Sequence, residues 1–226
     1  MKISKKCCIC DYRFAYDDRV YVDPLVAPHD AGAQYYYDLW HFLIEVCPEC
    51  GYASRDIAKT DNVKIVKDEI YLTVADVPVI KTLNSARPNR IADYLYAGVY
   101  YESIADNLNY AKCLLQASDL IYAEMMYWEE YVIDSSTSLS AIHNKAQMNE
   151  FQKFANGLYE KGLKILERYV EDYVNDIDSA ILLAGTLCSG DKIQKIKGSR
   201  MLQKLKGVEL TTGQQLAVKF LLSNIN

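Results

Sequence analysis

Seven cysteines stand in this chain of 226 residues, and four of them fall into two matched pairs. Cys7-Cys8-Ile9-Cys10 and Cys47-Pro48-Glu49-Cys50-Gly51 are CxxC motifs separated by 36 residues. Each motif can close a tight turn that aims two sulfurs at one centre, and two such turns supply the four thiolates that tetrahedral zinc prefers. Pro48 restricts the second turn, and Gly51 permits a positive φ just after the second sulfur. Asp11 holds the matching place after Cys10, and Asp tolerates left-handed backbone better than most residues. We therefore expect Cys7, Cys10, Cys47 and Cys50 to be the ligands of one structural Zn2+. Four thiolates leave no open position for catalysis.

Other readings of the same residues remain open at this point. A redox CxxC belongs at the strand-to-helix junction of a βαβ unit, and neither pair has such surroundings. Cys8 could replace Cys7, although only one residue would then separate it from Cys10. His41, six residues before Cys47, could replace a ligand. Cys113 and Cys188 lie in helical patterns, where thiols behave as small apolar side chains. His143 falls near a polar linker and is expected to be solvated.

The elements that must position these residues divide the chain in two. All five prolines (Pro24, Pro28, Pro48, Pro78 and Pro88) lie within residues 1–88, and the remaining 138 residues have none. Proline breaks helix interiors. We expect a zinc-binding module with an irregular or β insertion over 1–88 and an all-helical domain over 89–226. The boundary falls at Ser85–Asn89, where Pro88 disfavours helix before it and Asn89 can cap one after it. Strands are expected at 19–22, 62–66 and 70–74, and a loop at 24–32.

Helical periodicity marks the second part. One apolar or small stripe runs Ala111, Leu115, Ser118, Tyr122, Met125 and Val132. Another runs Phe151, Phe154, Leu158, Gly162, Ile165, Tyr169 and Tyr173. Tyr122, Tyr169 and Tyr173 are expected in the core; Tyr101 and Tyr159 could line a groove, although core or helix-packing roles are the first reading for them too. Shorter helices are expected at 90–104, 179–188, 192–206 and 213–223. Tyr94–Gly98 and Ile181–Gly185 share a bulky-bulky-bulky-Ala-Gly pattern, as in tetratricopeptide repeats, where a small residue lets paired helices approach. The fold class is thus mainly α: a zinc-ribbon-like module with short strands, then a helical bundle or tetratricopeptide-like hairpins.

The pattern Cys7-x-x-Cys10 with Phe14, then Tyr35 to Val46 leading into Cys47-Pro48-Glu49-Cys50-Gly51-Tyr52-Ala53, resembles a bacterial family known as domain of unknown function 2225. Its layout, a four-cysteine module joined to tetratricopeptide-like helices, spans most of the chain, but the specific motif is confined to about residues 7–53. The resemblance implies a metal-ligand role for Cys7, Cys10, Cys47 and Cys50 and nothing catalytic. This chain departs in having Cys8 where the family favours proline and Asp11 where it favours glycine.

Charge and motif content narrow the function classes. The net charge of -5 opposes general polyanion binding, which needs clustered Lys and Arg. Residues 89–178 hold 15 acidic and 7 basic side chains. Residues 192–206 hold six basic side chains (Lys192, Lys195, Lys197, Arg200, Lys204, Lys206) and no acidic ones, interleaved with Ile193, Ile196, Leu202 and Leu205. That amphipathic basic helix reads first as a solvated face beside an acidic neighbour, and second as contact with an acidic partner, RNA or an anionic surface. No phosphate loop, dinucleotide fingerprint, HExxH or GxSxG motif is present. The first residues carry charge and lead into no apolar run, and no stretch of about 18 apolar residues appears. The expectation is a cytoplasmic, non-enzymatic interaction protein, with no membrane span and a protein or peptide partner on its helices. A nucleic-acid binder using the zinc module and the 192–206 helix is the alternative, followed by an enzyme or thiol-redox protein.

Overall fold

The computed structural model describes residues 2–17, 31–40, 44–59, 78–80, 82, 90–128 and 138–225. The chain is mainly helical, and among the described residues the short strands lie beside the two CxxC motifs. In order these are β1 (Lys2–Lys6), β2 (Arg13–Asp17), α1 (Ala31–Trp40), β3 (Glu45–Val46), β4 (Ala53–Ser54), α2 (Ile91–Ser103), α3 (Asn107–Trp128), α4 (Ser138–Asp172), α5 (Ile177–Cys188), α6 (Lys192–Leu205) and α7 (Thr212–Ser223). The segments 19–22, 62–66 and 70–74, the boundary at 85–89, most of the loop at 24–32, and Val132 lie outside the described residues.

Backbone packing gathers the chain into two compact units. One comprises Lys2–Tyr16 and Ile44–Gly162, the other Asp17–Leu43 and Leu163–Asn226 with Met1.

In the first unit, β1 pairs with β2 and β3 with β4, the second pair antiparallel with Glu45 opposite Ser54 and Val46 opposite Ala53. Each strand pair embraces one CxxC turn. Helices α2 and α3 are joined by three residues and pack on each other. The seam is tight where small residues permit it: a Cβ on Gly162 of α4 would sit 2.9 Å from Leu115 Cγ and 3.1 Å from the Ala111 carbonyl oxygen of α3. Ser118 of α3 donates to the Ala155 carbonyl of α4 at 2.9 Å, which satisfies a fully buried hydroxyl. The stripe expected on α3 is therefore its packing face. On α4 the buried positions are Phe151, Ala155, Gly162, Leu163 and Leu166, so the core face is rotated slightly from the expected stripe.

Helices α5, α6 and α7 form the second unit with α1. Ile181, Ala184, Leu202, Leu205, Ala217, Val218 and Leu221 make one core, against which Tyr35, Tyr36 and Leu39 of α1 are packed. Local sequence sets where these helices begin. Asp176 caps α5 by accepting from the Ser179 N–H, while Asp191 with Gln194 and Thr211 with Gln214 form capping boxes on α6 and α7.

Two expectations need correction. The loop expected through Gly32 gives way to α1 at Ala31, because its aromatic face is stabilised by distant helices rather than by local pattern. Tyr173, expected in the core, is 57% exposed, since α4 ends at Asp172 and its ring stacks on Tyr169, 4.5 Å away, one turn earlier. Tyr101 takes a packing role rather than a place in a groove, buried under the cysteine module.

Candidate metal centre

The two CxxC turns have the same backbone geometry. The Cys7 N–H donates to the Tyr12 carbonyl at 2.9 Å and the Asp11 N–H to the Cys7 carbonyl at 3.0 Å. At the second turn the Cys47 N–H donates to the Tyr52 carbonyl at 2.8 Å and the Gly51 N–H to the Cys47 carbonyl at 2.9 Å. The reversal after each pair requires left-handed backbone, with φ of 62° at Asp11 and 69° at Gly51. Glycine adopts that conformation without steric cost, and aspartate does so better than most residues.

These turns bring the four expected cysteines together. Cys7 Sγ lies 3.7 Å from Cys50 Sγ, and Cys10 Sγ lies 3.6 Å from Cys47 Sγ. All four sulfurs fall within 4.8 Å of one another. A disulfide needs about 2.05 Å between sulfurs, so neither contact is one. A tetrahedron with metal–sulfur bonds of about 2.3 Å has edges of about 3.8 Å, close to both separations. The Ile9 N–H points at Cys7 Sγ at 3.4 Å, a donor suited to a thiolate. Among the described residues, this is the one group of three or more side chains placed to hold a metal ion. Cys8 stands outside it, Cys113 is buried in α3 and Cys188 half-buried in α5, and His29 and His41 lie outside the described residues.

The thiols report a buried site. Burial pushes Cys7 up to about 11 and raises Cys50 well above the ordinary thiol value. At Cys10 burial acts in the same direction, but a backbone hydrogen bond at Tyr12 and the neighbouring cysteines outweigh it and lower its pKa. Thiolates gathered without a counter-charge would repel one another, whereas a bound cation supplies that charge and displaces the protons.

Residues that the sequence reading passed over hold the two turns together. Lys5 and Glu45 pair through their side chains, and Glu45 also accepts from the Ile57 N–H at 3.1 Å. The Ile57 carbonyl in turn accepts from the Cys8 N–H at 3.0 Å. Glu45 is only 6% exposed, and a buried carboxylate of this kind needs such partners. The signal was present in the sequence: Lys5 and Glu45 each stand two residues before the first cysteine of a pair and carry opposite charge.

The module rests on α2. Tyr52 meets Tyr100 edge-on with centroids 5.0 Å apart, and the Arg55 N–H donates to the Tyr101 hydroxyl at 3.1 Å. Arg90 binds Asp93 at 3.0 Å while its guanidinium also donates to the Ile44 carbonyl. Among the described residues no helix is long and apolar enough to cross a membrane. Four cysteines on two like turns are thus an arrangement that could bind a metal ion, and comparison with family models, curated proteins and solved structures found no match to the chain.

Proposed function

We propose that Cys7, Cys10, Cys47 and Cys50 hold a structural Zn2+, and that the protein is a cytoplasmic, non-enzymatic interaction protein whose helices receive a protein or peptide partner. The observation that carries the zinc reading is the set of four sulfurs within 4.8 Å of one another, with contacts near a tetrahedral edge. Zinc takes four thiolates without a demand for redox change, and an all-thiolate site closes the coordination sphere. Iron accepts the same ligands, so metal identity is part of the test. Free thiols in this number suit a reducing compartment. The resemblance of residues 7–53 to domain of unknown function 2225 implies the same ligand set.

Metal analysis by plasma mass spectrometry, on tag-free protein purified without chelator, tests the site. The expected result is about one zinc per chain, lost together with thermal stability in Cys47→Ser/Cys50→Ser and retained in Cys8→Ser. Iron in place of zinc would overturn the identity. Metal-free protein whose four thiols titrate freely or pair reversibly would overturn the site and favour thiol redox chemistry. The interaction reading fails if affinity capture returns no reproducible partner.

A further inference from the structure

Two of the apolar surfaces that the core of the α1/α5/α6/α7 unit leaves uncovered carry opposite charges. On α6, Ile193 is 78% and Ile196 47% exposed. With Lys197, Arg200, Met201 and Lys204 they line a groove of about 360 Å³. These positions recur at helical spacing along one face, while Gly198, Leu202 and Leu205 occupy the opposite, buried face. Around the helix axis Arg200, Ile193, Lys204 and Lys197 share the middle of this face and Ile196 and Met201 flank it, so cations and hydrocarbon are interleaved.

The second surface is the end of α4. Leu166 is fully buried, but just past the helix terminus Tyr173 is 57% and Val174 73% exposed, beside Glu171 and Asp172. Lys197 of α6 binds Glu167 of α4 at 2.5 Å, so this pairing of charges already occurs once within a chain. One turn beyond Glu167, Glu171 has no basic partner among the described residues, and neither does Asp172. Arg200 and Lys204 likewise have no acidic partner there.

We propose that the α6 groove of one chain receives the acidic, apolar end of α4 from a second copy. Tyr173 and Val174 would cover Ile193 and Ile196, and Glu171 and Asp172 would meet Arg200 and Lys204. Tyrosine suits such a contact because it covers a large area at small entropic cost and keeps a polar tip. Each chain carries both halves, so two copies can exchange them reciprocally. Nucleic acid fits the groove less well: phosphates would desolvate its isoleucines without return, and no aromatic side chain lines it for base stacking. The inference goes beyond the metal reading and holds whether or not zinc is bound.

Sedimentation velocity over a concentration series tests it, using the full chain. The wild type is expected to associate, more weakly as salt rises. Arg200→Glu/Lys204→Glu alone and Glu171→Lys/Asp172→Lys alone should each weaken association by at least about tenfold. Mixing those two variants should restore it, because each then offers the charge the other lacks. Ile193→Ser, at an exposed position, should weaken association while leaving thermal stability unchanged. A wild type that stays monomeric at every concentration would overturn the proposal, as would variants that associate like the wild type. Binding of monomeric protein to phosphatidylserine vesicles or to single-stranded RNA, lost in the Arg200→Glu/Lys204→Glu variant, would assign the groove to that ligand instead.

Discussion

Lys5 and Glu45 occupy equivalent places before Cys7 and Cys47, and their side chains form an ion pair that ties one cysteine turn to the other. Glu45 carries a second load by accepting the Ile57 N–H, and Ile57 accepts from Cys8. The carboxylate is thus a positioning group for both halves of the site.

Glu45→Ala should break the ion pair with Lys5, leave the Ile57 N–H without the Glu45 acceptor and destabilise the cysteine-bearing unit by about 2 kcal/mol. Second-layer losses of this kind reduce metal affinity by about 10–100-fold. Chemical denaturation and competition with a chelator would measure the two effects. Glu45→Gln keeps an acceptor for Ile57 and should lose less.

The left-handed positions after the two cysteine pairs make opposite predictions. Gly51→Ala places a Cβ on backbone at φ 69° and should cost ~1–2 kcal/mol. Asp11→Gly removes a Cβ at φ 62° and should raise the melting temperature slightly, because the exposed Lys6–Asp11 pair that it sacrifices contributes little. Calorimetry of the two variants beside the wild type would decide both.

Tyr101 gives the fold a titratable weak point at alkaline pH. Burial pushes its phenol from the ordinary 10.0 up to about 12. The folded state therefore holds the proton more tightly than the unfolded state. Its stabilising effect is complete below about pH 10 and is lost as pH rises through about 12. Thermal melts over that range should show the loss for the wild type and a flatter limb for Tyr101→Phe.

Much of this organisation was legible in the sequence because its causes are local. CxxC spacing encodes the cysteine turns, with Asp11 and Gly51 marking the reversals. The helices from α2 to α7 follow from apolar periodicity and from caps such as Asp191 with Gln194. What was not legible depends on residues far apart in the chain. Helix α1 is a run of tyrosines that locally favours strand. Its Tyr36 ring occupies the space where a Cβ on Gly185 would lie, and its Tyr35 ring does the same at Gly213. Tyr35 also donates to Asp178 at 2.8 Å, a carboxylate that Gln214 shares at 2.8 Å. Tyr173 misled for the converse reason: the stripe continues in sequence beyond the point where neighbouring helices stop covering it.

The two compact units draw on alternating stretches of chain, Lys2–Tyr16 and Ile44–Gly162 in one, Asp17–Leu43 and Leu163–Asn226 in the other. The first cysteine pair and the second are therefore separated by a stretch that belongs elsewhere. No single cut in the gene would release either unit whole. Such a protein cannot be shuffled as cassettes: a break between Leu43 and Ile44 would strand two thiols from their partners and α1 from α7, and a break at either other junction still splits a unit.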